Sequence, residues 1–340
     1  MSALLTVVAV DLGLRVFIPD EKKREVREGL RDLAAADPEV LVVGSSHART
    51  FHVLGEELAS RRGGGMPLVA VPLENGKLIP YQWLVRNRIE PLVDEVGGNG
   101  RLVRPSLGRF ILLTEWWDSC PHPDGVHWNL PARAWGWQEY VADLGRNGIT
   151  DYNRNYPKSL LRQYLVSSPL VQNRSSDTVR EMLYRLMRGQ DVRQGRRPED
   201  EQDFLQGWQR TAEQGVGCIG DPGQMAALVD LLDFAQARRL DTTIVLFPRK
   251  PATVTDKAWR TTFAQFHHKV EKIALSRGVR LLDLSRSTPL LDEDFMQDFD
   301  HVNAQGNRKF ARWALANDLK FLLEPPATRH TLPGSPAVTN

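Results

Sequence analysis

The sequence predicts an α/β domain built on a mostly parallel sheet that is covered by helices on both faces. Two observations lead to this prediction. Short apolar runs such as Val40-Leu41-Val42-Val43 carry no alternating polar residues, which is typical of strands buried on both faces. These runs alternate along the chain with longer stretches of helical periodicity, an order that favours parallel strands joined by helices.

The predicted elements form two blocks, one on each side of a long middle region. Apolar runs predict strands at 40–43, 68–73, 110–114, 242–247 and 279–284. Helical periodicity predicts helices at 21–36, about 46–60, 78–93, 225–238, 256–276 and 303–322.

The middle region, about 115–220, interrupts this alternation with helical periodicity, many tryptophans and no clear strand. We interpret it as an insertion into one α/β domain that spans 20–322. Residues 323–340 are rich in Pro and Thr and predict a disordered tail, since such a segment has little apolar surface to bury.

Residues 1–19 allow two interpretations. They are apolar but interrupted by Asp11 and Arg15, and they lack the basic start and small-residue cleavage site of a signal peptide. They could form an edge strand or amphipathic helix on the core. They could instead be the end of a membrane anchor, although a charge at the bilayer centre costs about 2.5–3.5 kcal/mol. Membrane association through the N-terminus is therefore one expectation, and an envelope-facing location is favoured over a cytoplasmic one.

Charge and cysteine content exclude some classes of protein. The formal net charge is +2, because 44 Lys and Arg nearly cancel 42 Asp and Glu. A nucleic-acid-binding protein usually has a one-sided basic face, so no nucleic-acid partner is expected. The two cysteines, Cys120 and Cys218, are too few for a disulfide framework and leave the redox compartment undecided.

The first predicted strand ends in Gly44-Ser45-Ser46-His47, where the chain must turn into a helix. Ligands of an open parallel sheet bind beyond the carboxyl ends of its strands. A helix N-terminus at this place favours negative charge through its free N–H groups and dipole. Ser46 could therefore attack a carbonyl carbon while nearby amides receive the oxyanion, provided that a base activates it.

A second motif, Asp298-Phe299-Asp300-His301, follows the last predicted strand and opens the last helix. It should reach the same edge of the sheet as Ser46. A carboxylate that holds one imidazole nitrogen leaves the other nitrogen free to take the serine proton, which is the logic of a catalytic triad. Asp298 is the expected partner of His301, and Asp300 is the alternative.

Together the two motifs resemble the SGNH, or GDSL-type, hydrolase superfamily, and more narrowly its branch of envelope polysaccharide and teichoic-acid modification proteins. The resemblance covers about 200 residues in two blocks and leaves out the middle region. It implies a flavodoxin-like three-layer fold and ester hydrolysis or acyl transfer without a metal. It also implies that Ser46 is the nucleophile, His301 the base and Asp298 the residue that orients it.

The resemblance also implies where the oxyanion donors lie. The family's oxyanion glycine falls in the loop after the second strand, where this chain has Asn75-Gly76. Its oxyanion asparagine falls after the third strand, where this chain has Glu115-Trp116-Trp117-Asp118 instead. Either another donor replaces that asparagine, or the oxyanion rests on the amides of Ser46 and Gly76.

Aromatic residues follow the third strand closely, beginning with Trp116 and Trp117. Such rings could stack on a sugar, or they could pack the insertion onto the sheet. We expect both tryptophans to bind substrate and His47 to line the site. The spacing of Cys120, His122 and His127 matches no common zinc site, so neither a metal nor another cofactor is expected.

These observations favour a serine esterase or O-acyltransferase that acts on an acylated carbohydrate or cell-envelope polymer. A non-catalytic carbohydrate-binding or assembly protein with the same fold is the alternative. A nucleotide-binding protein is less favoured, because no Gly-x-Gly-x-x-Gly motif follows a predicted strand.

Overall fold

In the computed structural model the chain divides into two compact units, residues 1–27 with 126–198 and residues 28–125 with 199–340. The structure describes residues 21–73, 76–98, 101–120, 217–254, 257–285, 287–296 and 301–326, together with isolated positions between 140 and 213. Of the first unit, only residues 21–27 and isolated positions are among them, so apart from the start of the first helix the account below concerns the second unit.

The second unit contains a five-stranded sheet whose strands are all parallel, which confirms the predicted fold class. The strands lie in the order β2-β1-β3-β4-β5, the order of flavodoxin-like folds. Every residue of the first three strands is buried, as expected for strands covered on both faces. The strands are β1 Val40–Gly44, β2 Leu68–Pro72, β3 Arg109–Thr114, β4 Asp241–Leu246 and β5 Arg280–Asp283.

Six longer helices accompany the strands. They are α1 Glu21–Ala35, α2 Thr50–Arg62, α3 Leu78–Leu84, α4 Pro222–Ala237, α5 Lys257–Ser276 and α6 Ala304–Ala316. Shorter helical segments lie at Ser46–Arg49, Val85–Ile89, Glu90–Val93, Trp116–Ser119, Pro251–Val254, Asp292–Asp294 and Lys320–Leu323.

The helices form one layer on each face of the sheet. On one face, Phe51 of α2 and Phe310 of α6 belong to the same buried cluster as Val42 of β1. On the other face, Phe110 of β3 meets Phe234 of α4 edge-on, with the ring centroids 5.9 Å apart. Successive strand residues point to opposite faces, so each apolar strand supplies both layers of the core.

Several predicted helix boundaries differ from the observed ones. The helix predicted at about 46–60 begins with a separate 3₁₀ turn, Ser46–Arg49, before α2 starts at Thr50. The predicted helix 78–93 contains a π-helical turn at Val85–Ile89. The last helix ends at Ala316 rather than 322, because the backbone turns there and the Leu319 N–H donates to the carbonyl of Ala314 at 2.8 Å.

Two glycines allow backbones to approach closely near the carboxyl edge of the sheet. A Cβ atom on Gly44, the last residue of β1, would lie 2.6 Å from the Cβ atom of Leu113 on β3. A Cβ atom on Gly306 in α6 would lie 2.4 Å from the carbonyl oxygen of Asp294. Such distances are shorter than van der Waals contact, so larger residues would push these segments apart.

A disulfide joins Cys120, just after β3, to Cys218, just before α4, across a separation of 98 residues. The sequence left the state of these cysteines open. The Asp221 N–H also donates to the carbonyl of Ser119 at 3.0 Å. Both ends of the middle segment therefore meet at the end of β3.

Some expectations concern residues outside the described ranges. These are the apolar segment 1–19, most of the Trp-rich region 115–220 and most of the tail 323–340, and all three stay predictions. Among the helices of the described ranges, none has the length and apolar character needed to cross a bilayer.

Replacing both Cys120 and Cys218 by Ser should lower the free energy of unfolding by about 2–5 kcal/mol, because the disulfide restricts the unfolded chain. Urea unfolding of the oxidised protein and of the double variant measures this difference. Reducing agent should destabilise the unsubstituted protein and leave the double variant unchanged. Equal unfolding energies in both proteins would contradict a stabilising disulfide.

Candidate active site

The candidate nucleophile lies in a tight turn at the carboxyl end of β1. After Gly44, the Ser45 hydroxyl accepts a hydrogen bond from the N–H of His47 at 3.4 Å and caps the 3₁₀ turn Ser46–Arg49. Ser46 is buried apart from 6% of its surface. In the observed strand order the direction of winding reverses between β1 and β3, which is the position where flavodoxin-like folds bind ligands.

The candidate base lies in a loop that is fastened at both ends. Phe295 and Val302 form an isolated antiparallel bridge, and the Met296 N–H donates to the carbonyl of His301 at 2.7 Å. The side-chain oxygen of Asn303 caps α6, while its amide nitrogen donates to the carbonyl of Glu293 at 2.6 Å. These bonds hold the backbone of His301 near the edge of the sheet.

The structure brings Ser46 and His301 into contact across 255 residues of sequence. The Oγ atom of Ser46 lies 2.6 Å from the Nε2 atom of His301, a hydrogen-bond distance. When Nε2 is unprotonated, the serine hydroxyl donates to it, and this is the arrangement that a general base requires. Asp298 and Asp300 lie outside the described residues, so the partner of the imidazole stays a prediction.

Glu115 is the site residue whose role the sequence analysis missed. It follows β3, at the position where the family resemblance would place an oxyanion asparagine. Its Oε1 atom accepts from the Ser45 hydroxyl at 3.3 Å and lies 2.8 Å from Nε2 of His47. Arg249, which follows β4, forms an ion pair with its Oε2 atom. An acidic residue at the end of a central strand was the available signal, but its partners are distant in sequence.

His47 lies behind the site rather than on its surface. Only 2% of the residue is exposed, so it does not offer the substrate contact that the sequence suggested. Its ring stacks on the ring of His301 with centroids 5.1 Å apart and an interplanar angle of 17°. The ring of Phe247, which follows β4, lies 4.7 Å away, so His47 is a packing support for His301.

The predicted oxyanion donors differ in their availability. The Gly76 N–H donates to the carbonyl of Leu73 at 2.7 Å, so this amide already has an acceptor. A Cβ atom at position 76 would lie 2.3 Å from the ring of Tyr81, which explains the need for glycine. Asn75 lies outside the described residues. The amide of Ser46, at the start of the 3₁₀ turn, is the remaining predicted donor at this edge.

The two tryptophans after β3 occupy different environments. Trp116 is fully buried and packs edge-on against Trp117 and Trp259, so its faces are closed to a sugar. Trp117 is half-buried. The Lys77 ammonium lies 4.0 Å from its ring centroid and donates to its carbonyl at 2.8 Å. Of the two predicted substrate contacts, only Trp117 has surface to offer.

Asp118 and Lys77 are buried ionisable residues beside the site, and each affects the pKa of the other. Burial raises the pKa of Asp118 from its ordinary value to about 7, although the Lys77 ammonium and the His47 imidazole act in the opposite direction. Burial likewise lowers the pKa of Lys77 to about 8, against the attraction of Asp118. The Asp118 carboxylate also accepts a hydrogen bond from the Glu115 N–H at 3.1 Å, which connects this pair to the site.

No group of three His, Cys, Asp or Glu residues in the described part of the chain could hold a metal ion. Cys120 is bonded to Cys218 and is therefore not a thiolate ligand. His122 and His127, the other residues considered for a zinc site, lie outside the described ranges.

The stability of Asp118→Asn relative to the unsubstituted protein should increase as the pH rises from about 4.5 to 7. An aspartate in the unfolded chain ionises near pH 4, whereas the folded pKa of Asp118 is about 7. Between these values the native state holds the extra proton, so the unfolding free energy of the unsubstituted protein falls with pH. In the unsubstituted protein Lys77 stays mostly charged in both states up to about pH 7, because its folded pKa is about 8.

Urea unfolding at several pH values measures this effect. Glu56→Gln, on the exposed surface of α2, is the control for the loss of one carboxylate. Parallel stability curves for Asp118→Asn and the unsubstituted protein would contradict a raised pKa for Asp118.

Comparison with protein-family models and with curated proteins finds no match to this chain.

Proposed function

We propose that this protein is a serine esterase or O-acyltransferase in which Ser46 is the nucleophile and His301 the base. The observation that carries the proposal is the contact of 2.6 Å between Ser46 Oγ and His301 Nε2. Two segments far apart in sequence supply a hydroxyl and an imidazole to the carboxyl edge of a parallel sheet. The motifs around both residues resemble those of SGNH hydrolases, and Asp298 is the proposed orienting carboxylate.

The proposed reaction proceeds in two steps. His301 Nε2 takes the hydroxyl proton of Ser46, and Oγ attacks the carbonyl carbon of the ester to form a tetrahedral oxyanion. The intermediate collapses when His301 returns the proton to the leaving alcohol oxygen, which leaves an acyl group on Ser46. Water or an acceptor hydroxyl then loses a proton to His301 and attacks the acyl carbon, and His301 returns the proton to Ser46 Oγ as the acyl group leaves. Water completes hydrolysis, and a hydroxyl completes transfer.

We propose an acylated carbohydrate or cell-envelope polymer as the substrate. Trp117, two residues after Glu115, is only half-buried, and indole rings can stack on sugar faces. The Cys120–Cys218 disulfide supports a location outside the reducing cytosol, because persistent disulfides are typical of oxidising compartments. Both features fit a protein that modifies envelope material, and attachment to a membrane through residues 1–19 is compatible with this role.

A non-catalytic carbohydrate-binding or assembly protein is the second candidate function. The Gly76 amide is already engaged with Leu73, and the position after β3 holds the anionic Glu115. Both features reduce the number of donors for an oxyanion. Loss of one such donor typically costs about 2.7–4 kcal/mol in transition-state stabilisation, so a retained serine–histidine pair could accompany very weak catalysis.

A serine-directed fluorophosphonate should label Ser46, because His301 activates its hydroxyl toward electrophiles. Peptide mapping by mass spectrometry locates the labelled residue. Ser46→Ala should abolish labelling without lowering the melting temperature. Ser60 is an exposed serine near the end of α2, and Ser60→Ala should leave the labelling unchanged.

Fluorophosphonate labelling and ester hydrolysis together test the roles of His301 and Asp298. His301→Ala and Asp298→Asn should both slow labelling, and they should lower kcat on p-nitrophenyl acetate far more than they raise KM. A loss with Asp300→Asn instead of Asp298→Asn would assign the orienting role to Asp300. Absence of labelling at Ser46 would favour the binding-protein candidate.

Trp117→Ala should lower kcat/KM on an acetylated oligosaccharide and largely spare p-nitrophenyl acetate, because only the oligosaccharide has a sugar ring to stack. Trp116→Ala is the matched control for packing, since truncating a buried tryptophan typically costs about 3–5 kcal/mol of stability. Kinetics and melting temperature are measured for both variants. Equal losses of Trp117→Ala on the two substrates would contradict sugar stacking by this residue.

A further inference from the structure

Glu115 lies where the carboxyl ends of three strands meet. Ser45 and His47 follow β1, Glu115 follows β3, and Arg249 follows β4. One carboxylate oxygen, Oε1, accepts from the Ser45 hydroxyl at 3.3 Å and lies 2.8 Å from Nε2 of His47. The other oxygen, Oε2, pairs with Arg249. A single side chain therefore links three neighbouring strand ends of the sheet.

These contacts fix the residues immediately before and after the candidate nucleophile. Ser45 and His47 are the immediate neighbours of Ser46, and both reach the same oxygen of Glu115. The peptide groups on either side of Ser46 cannot rotate freely unless one of these contacts breaks. Ser45 also accepts from the N–H of His47, so the turn is closed on itself as well as fastened to β3.

A second connection runs from Glu115 to the base. The imidazole of His47, which contacts Glu115, stacks on the imidazole of His301 at 5.1 Å with an interplanar angle of 17°. His47 is almost completely buried and is also packed against Phe247, so its ring has little space to move. The plane of the His301 ring is thereby supported from one side.

We propose that Glu115, held by Arg249, is a positioning residue that sets the contact between Ser46 and His301. It acts through Ser45 and His47 and touches neither the substrate nor the transferred proton. The inference rests on the proposed function, because it gives Glu115 the task of presenting a nucleophile to its base. It also explains why a carboxylate occupies this position, since one oxygen accepts from the Ser45 hydroxyl and lies against the His47 imidazole while Arg249 compensates the charge.

A single substitution of Glu115 would leave Arg249 as a buried charge without its partner and would destabilise the protein. A loss of activity could then come from lower stability rather than from a displaced nucleophile. We therefore compare two double variants, Glu115→Gln/Arg249→Met and Glu115→Met/Arg249→Met. Both remove the charge pair and keep a side chain of similar length at position 115. Only the first retains an oxygen that can accept from the Ser45 hydroxyl and lie against the His47 imidazole.

Glu115→Met/Arg249→Met should have a kcat on p-nitrophenyl acetate about 10²-fold below that of Glu115→Gln/Arg249→Met. A displacement of the nucleophile from its base by about 1 Å can cost this much activity. KM and melting temperature should be similar in the two double variants. If the role of Glu115 were purely structural, the melting temperature would fall together with kcat. His47→Phe leaves Glu115 and Arg249 in place and retains a ring, but removes the contact with Oε1. It should also lower kcat with little change in KM.

Crystal structures of the two double variants provide a measurement that does not depend on activity. The distance from Ser46 Oγ to His301 Nε2 should stay at hydrogen-bond length in the Gln variant and exceed about 3.5 Å in the variant without the acceptor. An unchanged distance in both, or equal kcat in both and in His47→Phe, would overturn the inference. If the unsubstituted protein neither reacts with fluorophosphonate nor hydrolyses esters, the proposed function fails. The two distances then still decide whether Glu115 positions the pair.

Discussion

The burial of the sheet on both faces is the constraint on which the candidate site depends. Strands β1, β2 and β3 have no exposed residue, and their polar side chains, Arg109 and Thr114, stand only at the two ends of β3. Hydroxyl, imidazole and carboxylate groups can reach one another and solvent only beyond the strand ends. Because all five strands are parallel, their carboxyl ends meet at one edge, and residues from distant parts of the chain collect there.

The main charged contact at this edge is a buried pair. Glu115, which follows β3, is joined to Arg249, which follows β4. Removing such groups from water is costly, and a partner of opposite charge offsets the cost without making the pair a strong source of stability. Their contribution is geometric, because a charged pair that cannot separate keeps its backbone segments together. The candidate nucleophile lies within this network, next to Ser45 and His47.

The disulfide between Cys120 and Cys218 has a related effect on a larger scale. It joins the two ends of the middle segment at the carboxyl end of β3, one turn beyond Glu115. The hydrogen bonds from Gly220 and Asp221 to Ser119 lie beside it. The disulfide and these hydrogen bonds therefore fix both ends of the middle segment to the 3₁₀ turn Trp116–Ser119.

Much of the fold and part of the site could be predicted from the sequence, because those signals are local. Apolar runs without polar alternation indicate buried parallel strands, and Gly44-Ser45-Ser46 and Asp298-x-x-His301 are readable motifs at predicted strand ends. The observed contact between Ser46 and His301 joins these two motifs. The order of the strands agrees with the flavodoxin-like fold that the family resemblance implied.

The tertiary structure alone decided the partners of Glu115 and the burial of His47 and Trp116. It also decided the pairing of the two cysteines. None of these features has a local pattern, since each depends on which strand ends become neighbours in the sheet. A sequence therefore shows which residues stand at the ends of strands, whereas the winding of the sheet determines which of them touch.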